Sequence, residues 1–167
     1  MRVLFLDIDG VLNDNTGRPT REAEIHSRLK GPARWAYELD QERCGVLQRE
    51  VVDKVPGLAI VISSSWRVLR SHAFPYVLQA NGVHAPVIGF TGHKESNDVS
   101  RGEIIKRWLD GWEGQDLEGY AIIDDDRILH GRVFEGSDAI RKRFVLTRGG
   151  IRKRKAERLV QRLMLPM

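Results

Sequence analysis

Five short apolar runs, ending in polar residues and alternating with helical patterns, limit what this 167-residue chain can fold into. Arg2 to Ile8 (RVLFLDI) reads as a buried strand with acids at its end. Leu58 to Ile62 (LAIVI) is β-branched and follows the turn signal Pro56-Gly57. Pro86 to Phe90 (PVIGF), Tyr120 to Ile123 (YAII) and Arg143 to Leu146 (RFVL) are the other strand candidates. Strands that alternate with helices predict an α/β domain with a mostly parallel central sheet. In such sheets ligands bind at the carboxyl ends of the strands.

The intervening segments carry helix signals. Asp40 is placed to cap a helix running to about Val55, with Cys44, Leu47, Val51 and Val55 on one face. A second spans Trp66 to Ala80, where Pro75 is expected to break it into two pieces. Ser100 precedes Arg101 to Leu109 and forms an S-x-x-E capping box with Glu103. Gly149-Gly150 precedes a basic C-terminal helix at about 149–164, with Ile151, Ala156, Leu159, Val160, Leu163 and Met164 as its apolar stripe. Residues 13–39, with Asn13, Asn15, Gly17, Pro19, Gly31 and Pro32, predict a loop or small insertion over the first strand. The expectation is one domain over residues 1–167.

Composition narrows the function classes. With 41% apolar residues the chain is too hydrophobic for disorder, and 16 Gly with 6 Pro is ordinary for a globular protein. A single cysteine, Cys44, cannot form an intramolecular disulfide, so nothing requires an oxidising compartment. Asp7 and Asp9 interrupt the first apolar run, which excludes it as a signal peptide or membrane span. A cytoplasmic protein is expected. The net charge of +4 conceals an asymmetry: from Arg141 onward there are ten basic residues and one acid, Glu157, against 17 basic and 22 acidic residues before it. An acidic body with a basic end points to an anionic partner, unless the basic residues only solvate a helix face.

The chemistry-bearing residues follow the strand ends. In Asp7-Ile8-Asp9-Gly10, alternate residues of an extended segment share a face, so both carboxylates reach one site while Gly10 turns the chain away. Asp124-Asp125-Asp126 follows another strand, and three adjacent carboxylates raise one another's pKa unless a cation neutralises them. Carboxylate oxygens suit Mg²⁺, which favours phosphate-bearing substrates. Ser63-Ser64-Ser65-Trp66-Arg67 follows the second strand, where hydroxyls and backbone N–H groups at a strand-to-helix junction cradle an anion. Arg101, Lys94 and Lys106 supply candidate cations for a phosphoryl group.

The ordered set DIDGVLN, SSSWR, RGEIIKRWL and YAIIDDD resembles the haloacid dehalogenase (HAD) superfamily of phosphohydrolases. In detail it resembles the small HAD domains of RNA-repair type and the phosphatase part of polynucleotide kinase-phosphatases. The resemblance covers Arg2 to about Thr147. It implies a Rossmann-like three-layer sandwich with a minimal cap. It also implies that Asp7 is the nucleophile that forms an aspartyl-phosphate, and that Asp9 is the general acid and then the base. Ser63 is implied on the phosphoryl oxygens, with Ser64, Trp66 and Arg67 as further substrate contacts. Mg²⁺ is implied on Asp7, Asp124, Asp125 and the backbone carbonyl of Asp9. The third-motif cation is Arg101 or, less well placed, Lys106, and Asp126 leaves open which pair of the three acids binds metal.

HAD enzymes choose substrates through cap insertions, and residues 13–39 are too few for a large one. An open site with a basic tail, from Arg141-Lys142-Arg143 to Arg152-Lys153-Arg154-Lys155, Arg158 and Arg162, suits removal of a terminal 3′-phosphate from nucleic acid. Trp35, Tyr37 and Trp66 are candidates for stacking a terminal base. A nucleotidase or other small-molecule phosphatase is the nearest alternative. A nucleic-acid or protein-binding module with a relict site, and a phosphoacceptor signalling domain, are alternatives of another class. No phosphate-cradling P-loop pattern occurs, which argues against a kinase activity in this chain.

Overall fold

A computed structural model describes residues 1–13, 28–66, 71–92, 99–114, 116–126 and 137–167. Its centre is a five-stranded parallel sheet in the order β3-β2-β1-β4-β5, with β1 at Arg2–Leu6, β2 at Leu58–Ile62, β3 at Val87–Phe90, β4 at Gly119–Asp124 and β5 at Phe144–Leu146. β1 lies between β2 and β4, where the order changes direction. Open α/β sheets place their ligand crevice at such a point.

Period-two alternation sorts the side chains onto two faces. Leu4, Leu6, Ile60, Ile62, Ala121 and Ile123 belong to one apolar cluster. Cys44 and Leu47 of α2 (Gln41–Glu50) pack into it, with Phe74, Val77 and Leu78 of α3 (Phe74–Ala80) and residues of α6 (Lys153–Leu163). Val3, Phe5, Val61, Tyr120 and Ile122 face the other way, onto Ile105 of α4 (Arg101–Asp110) and Ile140 of α5 (Asp138–Arg143). The result is a helix–sheet–helix sandwich. No helix among the described residues is long and apolar enough to cross a membrane.

The strand and cap expectations hold in most places. Asp40 accepts from the Arg43 N–H, and Ser100 accepts from the Glu103 N–H. Pro75 stands in the first turn of α3, just after a 3₁₀ turn at Ser71–Ala73, because that turn needs no N–H from it, while residues 67–70 of the expected helix lie outside the described residues. Several details differ. Pro32, expected in a loop, begins for that same reason the short helix α1 (Gly31–Tyr37), which packs against α3. Residues 14–27 of the expected insertion lie outside the described residues. Met164, counted in the apolar stripe, is 52% exposed, whereas Ala156, Leu159 and Leu163 are buried. Arg143, counted among the phosphate contacts, is buried at the end of α5, where it donates to the carbonyls of Tyr120, Leu165 and Pro166.

Candidate active site

The ladders that end the strands set their functional residues level with one another. One residue past β1, the Asp7 N–H donates to the Ile123 carbonyl. Likewise the Ser63 N–H donates to Leu6, Thr91 to Ile62 and Thr147 to Asp124. Backbone pairing therefore fixes where these side chains emerge before any of them makes its own bond.

Beyond Asp7 the chain turns sharply. The N–H groups of Val11, Leu12 and Asn13 all point at the Ile8 carbonyl, and Gly10 adopts φ 67°. A side chain at Gly10 would collide with the Asp125 carboxylate, so glycine serves both the turn and the close approach of the two acid segments.

Asp7, Asp124 and Asp125 converge, each offering a carboxylate oxygen within 4.8 Å of the others. Asp7 and Asp124 are 3% and 1% exposed. Arg101, the first residue of α4, reaches both: its Nη1 lies 3.2 Å from Asp7 Oδ2 and also pairs with Asp124 Oδ2. The second Asp124 oxygen accepts from the Asp126 N–H at 2.8 Å. Burial pushes the Asp7 carboxyl up to about 7, against the pull of Arg101 and with a further push from Asp124. Asp125 is raised as well, by burial and then by Asp124.

Asp7 Oδ1 is buried without a hydrogen-bond partner. A buried, unsatisfied carboxylate oxygen is costly unless something bonds to it. Here it belongs to a cluster of three carboxylates, two of which share one guanidinium. Hard oxygen donors with surplus negative charge fit a divalent cation of the Mg²⁺ type.

Asp9 stands apart from that cluster. Its Oδ1 accepts from Asn13 Nδ2 at 2.8 Å and from Trp66 Nε1 at 2.9 Å, while Ser65 Oγ lies 3.4 Å from Oδ2. Asn13 Oδ1 in turn accepts from the Gly10 N–H at 3.0 Å. Trp66, a candidate for base stacking, thus directs its indole N–H at Asp9 and packs its ring near Phe74. Trp35 stands edge-on to His72.

The three serines divide their tasks. Ser63 is buried with its hydroxyl 3.3 Å from Thr91 Oγ1. Ser64, also buried, donates to Asp7 and favours its ionised form. Ser65 faces Asp9. The hydroxyl on the Asp7 side of the junction is therefore that of Ser64. Arg67 and Lys94 lie outside the described residues. Lys106 points away, paired with Asp110 on the exposed side of α4.

Three participants escape a reading of motifs. Asn13 stands four residues after Asp9, at the end of the DIDGVLN motif, a spacing suited to a side-chain bond across the turn. Thr91 stands just past β3 as Ser63 does past β2. Arg43 of α2 donates to the Asn13 carbonyl and lies against Gly150, tying the first loop to the start of the C-terminal segment. No local pattern announces Arg43.

Residues 3–156 match the family described as the HAD domain in Swiss Army Knife RNA repair proteins. The chain belongs to that family. No curated protein and no solved structure matches it. As a HAD domain it joins a class of phosphatase-type hydrolases, and its acid cluster at the ends of β1 and β4 lies where the fold presents ligands.

Proposed function

We propose that this HAD domain is a Mg²⁺-dependent phosphomonoesterase that removes a terminal phosphate, a 3′-phosphate in the first instance, from nucleic acid. The observation that carries the reading is the convergence of Asp7, Asp124 and Asp125, the first two held by Arg101, with Asp7 Oδ1 buried and unpartnered. Asp7, Asp124 and Asp125 would hold the metal, together with the Asp9 carbonyl. When bound, Mg²⁺ supplies positive charge that offsets repulsion between carboxylate and phosphate.

The chain's own residues do the rest. Asp7 attacks phosphorus and forms an acyl-phosphate bond as the bond to the leaving oxygen breaks. Asp9 gives that oxygen a proton, then takes one from the water that hydrolyses the aspartyl-phosphate. Arg101 and Ser64 stabilise charge on the phosphoryl oxygens. The family's description and the basic C-terminal segment support nucleic acid as the substrate class.

Phosphate release across a panel tests this. Terminally phosphorylated oligonucleotides are expected to turn over with Mg²⁺ and to stop with EDTA, ahead of nucleoside monophosphates. Equal rates on both would favour a nucleotidase, and no release from any phosphomonoester would favour a binding module.

Trp66 and Asn13 both donate to Asp9 Oδ1, so they orient the carboxylate. Trp66→Phe keeps an aromatic ring beside Phe74 and removes the N–H together with the rest of the second ring. Turnover of an alkyl phosphate is expected to drop roughly tenfold, a fraction of what a general acid contributes. A substrate with a good leaving group, such as an aryl phosphate, should lose less. An equal loss on both substrates would remove Trp66 from this role.

A further inference from the structure

The cations of the C-terminal helix α6 are not distributed evenly around it. Lys155, Arg158 and Arg162 follow i, i+3, i+7 spacing and share one side. With Arg141 at the end of α5 and Phe144 of β5, they line an open groove of about 630 Å³ along the outer edge of the sheet. Glu157, two residues after Lys155, falls about 200° around the helix and does not line it. Among the described residues no carboxylate pairs with Arg158 or Arg162, and Arg141 pairs with Asp138.

The groove has a direction. Ile151, just before α6, donates its N–H to the Val11 carbonyl, two residues from Asp9, so the helix starts at the catalytic rim. It ends where the Leu163 and Leu165 carbonyls approach Gly119, at the opposite end of β4. Lys155 Nζ donates to the Leu146 carbonyl at 2.6 Å, and Leu146 is the register partner of Asp124. The first cation of the row is therefore anchored on the strand next to a proposed metal-site carboxylate, through the residue whose backbone lies one strand spacing, about 4.8 Å, from that of Asp124. An ammonium has three N–H donors, and this bond uses one. Burial and the neighbouring Arg158 and Arg154 lower the Lys155 pKa, so the row has surplus positive charge for an anion to relieve.

We propose that this groove seats the sugar-phosphate backbone of a single-stranded nucleic acid, guiding its phosphorylated end to Asp7. The inference rests on the phosphatase reading for its endpoint, but the binding it describes does not depend on catalysis. From Lys155 to Arg162 the helix rises about 10.5 Å, enough to run beside about two successive phosphates of one strand. Contacts of this kind position a strand without reading its sequence.

The test compares Arg158→Gln/Arg162→Gln with a charge-matched control, Lys106→Gln/Arg107→Gln, on α4 across the sheet. Fluorescence anisotropy with an unphosphorylated 12-nucleotide strand reads binding without catalysis. The groove variant is expected to bind about tenfold more weakly and to lower the slope of log K against log salt by about 1.4, that is 0.7 for each lost phosphate contact. Its rate on p-nitrophenyl phosphate should stay at the wild-type level, and the control should bind as wild type does. Equal weakening in both variants reduces the effect to net charge and overturns the groove. So does unchanged binding in the groove variant, or a wild-type protein that binds polyglutamate as tightly as the oligonucleotide. Loss of oligonucleotide binding in the groove variant of a protein that hydrolyses no phosphomonoester would sustain the groove and sink the phosphatase.

Discussion

Asp7→Asn is expected to abolish phosphate release, by about 10⁴-fold or more as for other lost nucleophiles, while making the metal-free protein more stable at neutral pH. The two effects share one cause. Asp7 is held in a buried site that opposes its charge, with a pKa pushed up to about 7 from an ordinary 3.8. Between these two values the folded protein binds a proton that the unfolded chain has released. Stability therefore falls as pH rises through that window, and the loss is complete above the folded pKa. One pKa unit corresponds to about 1.4 kcal/mol, which places the effect at a few kcal/mol, with Arg101 already counted against it. Asparagine keeps the shape and has no charge to bury. Metal-free melting curves at pH 5 and pH 8 should show the variant gaining on wild type mainly at pH 8. Adding Mg²⁺ should reverse the order by stabilising wild type alone. Wild-type turnover in the variant would remove Asp7 as nucleophile, and identical pH dependence of stability would show that its buried charge is not the cause.

Such an arrangement stores instability where the chemistry needs charge. A carboxylate that welcomes a cation has to be short of partners without one, and Asp7 Oδ1 is. Arg101 supplies part of the compensation by reaching both Asp7 and Asp124. Its position follows from the cap at Ser100, which starts α4 so that the first side chain faces the sheet end. Here a local signal, an N-cap serine, determines an electrostatic outcome in the site.

That link bears on how much of the molecule is legible in its sequence. The strands are readable because they are short, β-branched and punctuated, and their alternation implies the parallel sheet. The acids at the ends of β1 and β4 are readable because strand ends are where such sheets act. Helix α1 departs from expectation at Pro32, since proline ends a helix in its interior and starts one at its first turn, the place that Pro75 also takes in α3. Ser63, Ser64 and Ser65 cannot be told apart by pattern, because rotation by one residue along the turn decides which hydroxyl meets Asp7, Asp9 or Thr91. Arg143 reads as a surface cation within a basic cluster, yet its guanidinium satisfies backbone carbonyls inside the fold. Residue type announces charge but not the direction in which the side chain leaves the backbone. Arg43 is invisible for a related reason: beside its local pairing with Asp40, it reaches segments 30 and 107 residues away along the chain.

Gly10→Ala should separate the metal site from the fold. At φ 67° an alanine costs about 1–2 kcal/mol in backbone strain alone. Gly57, at φ 68° in open space, meets the same strain with no neighbour to strike. Gly57→Ala should therefore lose a few degrees of melting temperature, since about 1 kcal/mol corresponds to roughly 2–4 °C in a chain this long, and Gly10→Ala should lose more through its added overlap with Asp125. Their effects on the metal should differ. The Cβ at position 10 would overlap both the Asp125 carboxylate and the Asp125 Cβ, so the segment carrying Asp125 has to shift and takes an oxygen of the proposed metal site with it. Mg²⁺ affinity, read by titration of the metal-free protein, should fall about 10- to 100-fold in Gly10→Ala, the scale at which displaced ligand geometry weakens a site. Phosphate release should fall with it and recover in part at high Mg²⁺, whereas Gly57→Ala should match wild type in both. Undiminished Mg²⁺ binding in Gly10→Ala would mean that Asp125 is no part of the metal site. Equal metal loss in both variants would trace the effect to general destabilisation rather than to the contact between Gly10 and Asp125.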